Sequence, residues 1–380
     1  METQASTVSL SALKGIDAAR LEKELTAVWA GMSGEDGGVI RACALNLVVY
    51  SEGAEEHAHV VALLDEVIER HPCRAIVLAA DRDAAEPRLD AYISTRCQLS
   101  SRGAKRICGE QVTIEAGGAA VATASTAVAP LLVPDVPVFL WWRDIPHYDD
   151  RLFDRLSEMA DRVVIDSAAS DNPHADLLRL ADVLDGRRGR LRLSDINWGR
   201  LTSWRALVAG FWDVAAYRDS LTGIERVRLD YDPPDRSPHE VAPKALLAVG
   251  WLATSLGWEP EDGKVNDDEG GASFKLNAGG RTVEVSLAPT EDAAGRDGML
   301  TSLLIETAAG DEFCVRLRAG ESKLETGART AGGHAVGRVL GYELRSEGQR
   351  LSAELEILTR DRVYERSVAF AARMLRSAGV

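Results

Sequence analysis

The chain has 380 residues, of which 46% are hydrophobic and 27% charged, a composition typical of globular proteins and a length suited to two domains. With 44 basic and 59 acidic residues the net charge is −15, which argues against a broadly basic nucleic-acid surface, so no nucleic-acid partner is expected. No apolar stretch approaches the roughly 18 residues needed to cross a bilayer. Met1 to Lys14 lack a basic start followed by an apolar block, so a cytoplasmic protein without a membrane partner is expected.

Residues 10–30 read as one amphipathic helix, with Leu10, Leu13, Leu21, Leu25 and Val28 at helical spacing. Val39 to Tyr50 reads as a buried strand, Glu55 to Arg70 as an amphipathic helix and Ala75 to Ala80 as a second apolar strand. Together they form a β-α-β unit with parallel strands and a right-handed crossover. Ala91 to Leu99 and Arg106 to Glu115 then alternate like the arms of an antiparallel hairpin. A turn at Arg102-Gly103 makes opposed residues sum to 205, which sets Cys97 against Cys108.

Ala119 to Val133 reads as a helix, followed by the run Pro130-Leu-Leu-Val-Pro-Asp-Val-Pro-Val-Phe-Leu-Trp-Trp-Arg143. Val136, Val138, Phe139 and Leu140 are apolar on both faces, as in a strand buried between two helix layers. Its carboxyl end carries Trp141, Trp142, Arg143 and Asp144, at the end of the sheet where open α/β folds meet ligands. The two tryptophans alternate in direction, one inward and one free to be exposed. Asp149 to Ala160 reads as a helix, Arg162 to Ser167 as a strand, and Pro173 to Leu184 as a helix with proline in its first turn. Residues 39–185 thus form a doubly wound, mostly parallel α/β sheet with one antiparallel hairpin.

Asp195 is the expected N-cap of a further helix. Over residues 198–213, Trp198, Leu201, Trp204, Val208, Phe211 and Trp212 share one face, and Arg205 falls inside it. An arginine there needs an acid, Asp144 or Asp166, or a guanidinium that serves as a partner contact. After the strand Arg226 to Tyr231, Pro233-Pro234 and Pro238 mark a junction, and Lys244 to Trp258 reads as a helix. Short strands follow at 272–277, 281–287, 300–307, 311–318, 335–343 and 351–358, with Asp262 to Gly271 as a mobile loop and Arg362 to Arg376 as a closing helix. The expected architecture is therefore a Rossmann-like α/β domain over 1–215 and an α+β domain with an antiparallel sheet over 216–380.

The chemistry that is missing narrows the function. There is no GxGxxG after a strand, no GxxxxGK[ST], no HExxH and no GxSxG, so no cofactor is expected. His57 and His59 point to different faces of one helix. The five cysteines, Cys43, Cys73, Cys97, Cys108 and Cys314, form neither a zinc site nor a secreted disulfide framework. Cys97 and Cys108 are expected as reduced thiols, with a redox-active pair as the alternative. Trp142, Arg143, Asp144, Asp166 and Ser167 are the candidates to line one cleft, against the plainer reading that the acids and the serine cap local turns.

Val133-Pro-Asp-Val-Pro-Val-Phe-Leu-Trp-Trp142 resembles the signature of the OpcA family of bacterial glucose-6-phosphate dehydrogenase assembly proteins. The resemblance extends through His71-Pro-Cys-Arg-Ala-Ile76, Cys108-Gly-Glu-Gln-Val112, Asp161-Arg-Val-Val-Ile-Asp-Ser167, Asp195-Ile-Asn-Trp-Gly-Arg-Leu201 and Trp204-Arg205. It implies a non-enzymatic, allosteric activator that binds glucose-6-phosphate dehydrogenase and promotes its active oligomer in the oxidative pentose phosphate pathway. Cyanobacterial relatives are linked to thioredoxin control through cysteines near the carboxyl end. Here Cys314 stands alone in that half, which points to a constitutive activator. Interface anchors are typically aromatic and arginine side chains, so Trp142, Arg143, Asp144, Arg200 and Arg205 are the candidate partner contacts. The competing readings are a sugar-phosphate or nucleotide-sugar binding domain or enzyme with its site in the switch-point cleft, and a thiol redox regulator using Cys97 and Cys108.

Overall fold

A computed structural model describes residues 10–14, 18–32, 39–99, 106–147, 149–187, 190–266, 271–290, 297–318, 322–333, 335–343 and 345–380. In chain order the elements are β1 (Leu10–Lys14), α1 (Ala18–Met32), β2 (Val39–Arg41), β3 (Leu45–Glu52), α2 (Ala54–Arg70), β4 (Cys73–Asp81), β5 (Arg88–Leu99), β6 (Arg106–Gly117), α3 (Ser125–Val128), β7 (Val138–Trp142), α4 (Arg151–Met159), β8 (Arg162–Ile165), α5 (Pro173–Gly186), β9 (Leu193–Asp195), α6 (Ile196–Arg200) and α7 (Thr202–Phe211). They continue as β10 (Ile224–Tyr231), α8 (Pro243–Leu256), β11 (Glu259–Asn266), β12 (Gly271–Asn277), β13 (Thr282–Pro289), β14 (Leu300–Thr307), β15 (Glu312–Leu317), β16 (Lys323–Arg329), β17 (Ala335–Gly341), α9 (Glu347–Glu354) and α10 (Arg362–Ser377).

The chain folds as two compact units, neither continuous in sequence. The first comprises Met1–Ile165, Gly189–Ser194 and Ser346–Arg360, and the second Asp166–Arg188, Asp195–Arg345 and Asp361–Val380. The division expected after residue 215 thus falls earlier, between Ile165 and Asp166, and a late segment returns to the first unit.

The first unit is built on a sheet in the order β1-β5-β6-β4-β3-β7-β8-β9, with β2 also pairing β6. Strands β6, β4, β3, β7 and β8 run parallel, and β5 lies antiparallel on β6. Counted from β3 along this core, with β9 last, the order is 3-2-1-4-5-6, that of a doubly wound dinucleotide fold. β3 is buried at seven of its eight positions, which is why its sequence is apolar on both faces. Val60, Leu64, Val67 and Ile68 turn one stripe of α2 inward.

The expected helix over residues 10–30 is in fact β1 followed by α1, because the free edge of β5 takes Leu10–Lys14 as an antiparallel partner. Ala119 to Val133 is not one helix. Gly118 enters at φ +53°, and Pro130 removes a backbone donor, so the segment is a series of short turns around α3.

The second unit carries the sheet β11-β12-β13-β10-β14-β15-β16-β17. All its neighbours are antiparallel except β10 and β13, whose parallel pairing requires a crossover through α8. Its inner face (Val227, Leu229 and Tyr231 on β10, Val283, Val285 and Leu287 on β13) is buried beneath helices that include α7, α8 and α10. α8 and α10 approach closely at Gly250, where a Cβ would lie 2.4 Å from the Ser367 carbonyl oxygen.

The outer face alternates with the inner one and is built from cross-strand rows. One row runs Asp262, Lys275, Glu284, Arg226, Glu306, continuing to Glu312 and Arg329. The next runs Lys264, Ser273, Ser286, Arg228, Leu304, continuing to Cys314, Gly327 and Gly337.

Three expectations fail in this unit. Residues 351–358 are not a strand: Ser346 and Gln349 form a capping box that starts α9, and α9 belongs to the first unit. Strand β16 was not anticipated. Asp262 to Asn266 lies in β11 and Gly271 opens β12, while residues 267–270 lie outside the described residues.

Candidate functional site

In the first unit the strand order reverses between β3 and β7, so the switch point lies at their carboxyl ends. The run ending in Trp142 and Arg143 does reach this place. β3 ends at Glu52, Gly53 follows with φ +84°, and α2 opens with Glu55 and Glu56 in its first turn. Carboxylates therefore occupy the positive end of the helix, where a dinucleotide fold holds pyrophosphate on backbone N–H groups.

The Arg143 guanidinium pairs with Glu56 of α2 and Glu347 of α9 and lies 4.6 Å above the Trp141 ring. Burial disfavours its charge, but the two carboxylates outweigh that and raise its pKa. Glu347 also accepts His59 Nε2 at 2.8 Å. Beside this clamp, Trp142 stacks on Tyr50 at 3.8 Å between ring centroids and meets the edge of Phe153. Tyr50 Oη donates to Glu52 at 2.6 Å, Arg82 Nε donates to Tyr50 Oη at 3.1 Å, and Arg82 Nη2 donates to Asp150 at 2.8 Å. Burial, more than the neighbouring Glu52, pushes the tyrosine pKa well up. A cleft of about 440 Å3 opens here, lined by Tyr50, Glu52, Arg82, Asp144, His147 and Asp150 among others.

These residues do not fit a dinucleotide. The turn offers one glycine where close backbone approach needs several, and two acids sit at the helix end that would meet phosphate. Among the described residues no group of three or more His, Cys, Asp or Glu is placed to hold a metal ion.

The second unit contains a buried polar cluster. Asp166 caps the turn after β8 through Ala168 N and receives both terminal nitrogens of Arg200, at 2.5 and 2.6 Å. Burial works against its charge, yet Arg200 holds its carboxyl below the usual range. Asp195 caps α6 as expected and accepts Ser167 Oγ at 2.6 Å, Ser167 N at 3.0 Å, Asn197 N at 2.9 Å and Tyr364 Oη at 3.2 Å. Burial, reinforced by Asp166, pushes its pKa up to about 6.

The candidate partner contacts are thus mostly committed internally. Trp142 is 2% exposed, so neither tryptophan at the strand end is free. Arg143 is clamped and Arg200 is paired with Asp166. Asp144 is exposed and accepts Ile145 N. Arg205 is half-buried, with its guanidinium 3.6 Å above the Trp198 ring and Nη2 donating to Thr202; Asp166 is taken by Arg200 instead. Trp142, Arg143 and Asp144 belong to the first unit and Asp166 and Ser167 to the second.

The hairpin register is the expected one, with Cys97 opposite Cys108. Cys108 is disulfide-bonded, which corrects the expectation of a reduced thiol; directly opposed strand positions bring Cβ atoms near bridging range. The Cys97 side chain and the turn at Arg102-Gly103 lie outside the described residues.

Sequence reasoning missed Glu56, Glu347, Glu52 and Arg82. Glu55-Glu56 at the start of a helix was a readable sign of a site closed to phosphate. Nothing in the sequence announced Glu347, some 200 positions from Arg143.

The fold and the switch point together define a doubly wound, Rossmann-like α/β protein whose first β-α turn lacks the glycines of a phosphate-binding turn. A levoglucosan dehydrogenase solved with NADH and L-sorbose shares this fold at TM-score 0.50, with 10% identity, over 88% of this chain and 97% of that one. Residues 64–182 match the family model described as the glucose-6-phosphate dehydrogenase subunit N-terminal domain, and residues 191–368 the one described as its C-terminal domain. Among curated relatives, the "Putative OxPP cycle protein OpcA" of Nostoc punctiforme is 29% identical over 83% of this chain and 68% of its own length. That of Synechococcus elongatus is 29% identical over 83% and 71%. The chain belongs to the OpcA family.

Proposed function

We propose that this chain is a non-catalytic partner of glucose-6-phosphate dehydrogenase, which it binds in the bacterial cytoplasm to favour the enzyme's active oligomer in the oxidative pentose phosphate pathway. The observation that carries the reading is the state of the switch point in a chain of this family. The helix end on which a fold of this strand order holds a pyrophosphate carries Glu55 and Glu56 instead, and Arg143 beside it is clamped between Glu56 and Glu347. Asp144 and Asp150 make the neighbouring cleft poor for a sugar phosphate as well. A fold kept without its cofactor turn is available as a surface.

Activation by a partner is a population shift: the chain raises enzyme activity only by binding the competent state more tightly than the other. Trp142, Arg143 and Arg200 act by holding their own units together. Asp144 and Arg205, which keep surface, are the contacts we assign to the enzyme. The test is dehydrogenase activity against glucose 6-phosphate, with and without the chain, together with co-elution on gel filtration. A lower apparent KM or higher kcat with co-elution supports the reading. Arg205→Ala is expected to weaken activation by about tenfold in the concentration required, the scale of an arginine contact worth about 1–2 kcal/mol. No kinetic change and no co-elution would overturn the function, and unchanged activation by a folded Arg205→Ala protein would remove that residue from the interface.

A further inference from the structure

The outer face of the second unit's sheet has no helix on it among the described residues, and its charges are unlike those of the rest of the chain. Along one row the signs alternate strand by strand: Asp262, Lys275, Glu284, Arg226 and Glu306. Glu312 and Arg329 extend this row, with Glu312 repeating the sign of Glu306. Lys264 and Arg228 add two bases in the next row, and Asp230, Arg316 and Glu325 complete the third. These three rows hold six acids and six bases, so together they are neutral on a chain whose net charge is −15, and Lys323 adds one base at the end of β16. Much of the charge is already balanced within the face: Arg226 pairs with Glu306 at 2.9 Å, Arg228 with Asp230 at 2.8 Å, and Arg329 with Glu312.

We infer that this face is an interface between two copies of the chain, packed sheet against sheet about a two-fold axis. Three observations select a second copy over another occupant. An acidic protein repels its own copies over most of its surface, and this neutral face is where that repulsion vanishes. The outer rows are self-complementary: a two-fold axis running across the strands along the middle row places Arg226 opposite Asp230, Glu312 opposite Arg316 and Arg329 opposite Glu325 of the second copy, whereas a partner of one dominant charge would be met by an excess of the opposite one. Between the flanking charged rows lies a row of mostly small or uncharged residues, with Gly337, Gly327, Cys314, Leu304, Ser286 and Ser273 among them, which lets two sheets approach to about 10 Å. Eight strands about 4.8 Å apart and about seven residues long give a face of roughly 800 Å2, the contribution of one partner to an ordinary stable interface.

The test is sedimentation of the full chain alone at micromolar concentrations, so it does not depend on the dehydrogenase reading. The expected mass is twice the 41.0 kDa of one chain. Arg226→Glu puts a like charge into the alternating row, and Ser286→Arg puts bulk and charge into the small row. Both sites are exposed, so the buried face is untouched, and each substitution is expected to weaken the dimer at least about tenfold. A chain that stays at 41.0 kDa up to about 100 μM, where an ordinary interface of this size would be filled, overturns the proposal. So does a dimer that both substitutions leave intact. A monomeric chain whose two variants lose dehydrogenase activation also overturns it and gives the face to the enzyme.

Discussion

Asp195 shows how far one residue's role follows from its neighbours. Four donors converge on a carboxylate that is completely buried. Those donors favour the ion, but burial and the adjacent Asp166 raise its pKa to about 6. The folded state therefore holds this proton more tightly than the unfolded one. Its contribution to stability is complete below about pH 4 and is lost as the pH rises through 6, a change of about 3 kcal/mol. Asp195→Asn removes the titration whatever constant penalty it adds. The difference in unfolding free energy between wild type and variant should therefore shrink from about pH 4 to about pH 6.5 in urea titrations; a difference independent of pH would show that Asp195 ionises normally. The N-cap role was legible in Asp195-Ile-Asn-Trp, because capping is local. The acid beside it was not, because Asp166 arrives from a different strand end.

At the scale of elements, legibility followed the reach of the signal. The hairpin register was readable to the residue, since alternation and the expected turn at Arg102-Gly103 make paired positions sum to 205, and Cys97 does stand opposite Cys108. The stripe from Trp198 to Phe211 is buried as its spacing required, although α6 and α7 divide it. Residues 351–358 mislead because Leu351, Leu355 and Ile357 alternate as in a strand, while the capping box five residues upstream carries the decisive signal. Strand β16 hid behind Gly327 and its charges, and only Leu324, Thr326 and Ala328 face inward. Gly250 marks a constraint that no local pattern reveals. Ala at 250 would push its methyl to 2.4 Å from the Ser367 carbonyl oxygen, so Gly250→Ala should cost about 2 kcal/mol despite the better helix propensity. Gly210, also helical, has nothing within 4 Å of the place its methyl would take, and Gly210→Ala should stabilise by up to about 1 kcal/mol. Thermal melts of the two variants should move in opposite directions, and a stable Gly250→Ala protein would mean that α8 and α10 can separate at little cost.

For the whole molecule, the sequence revealed a doubly wound sheet but neither its strand order nor the assembly of each unit from separate chain segments. That assembly depends on Ser346–Arg360 returning to the first unit, where Glu347 closes on Arg143. The return matters for function, because it supplies half of the clamp that occupies the switch point. A dehydrogenase architecture with an intact nucleotide site would gain about 2.7 kcal/mol of stability from a ligand at about a hundred times its Kd, and its melting temperature would rise by a few degrees. Here the carboxylates of Glu55 and Glu56 repel the phosphates, and displacing Arg143 from Glu56 and Glu347 would leave three partly buried charges unpaired. NADP or NADPH at about 1 mM should therefore leave the melting temperature unchanged, which places any Kd well above about 10 μM. Removing the repulsion with Glu55→Gln and Glu56→Gln should not create binding, because the turn still lacks the glycines that let backbone reach a pyrophosphate. A nucleotide-dependent shift in the wild-type chain would count against a closed switch point and return the cleft to the ligand-binding reading.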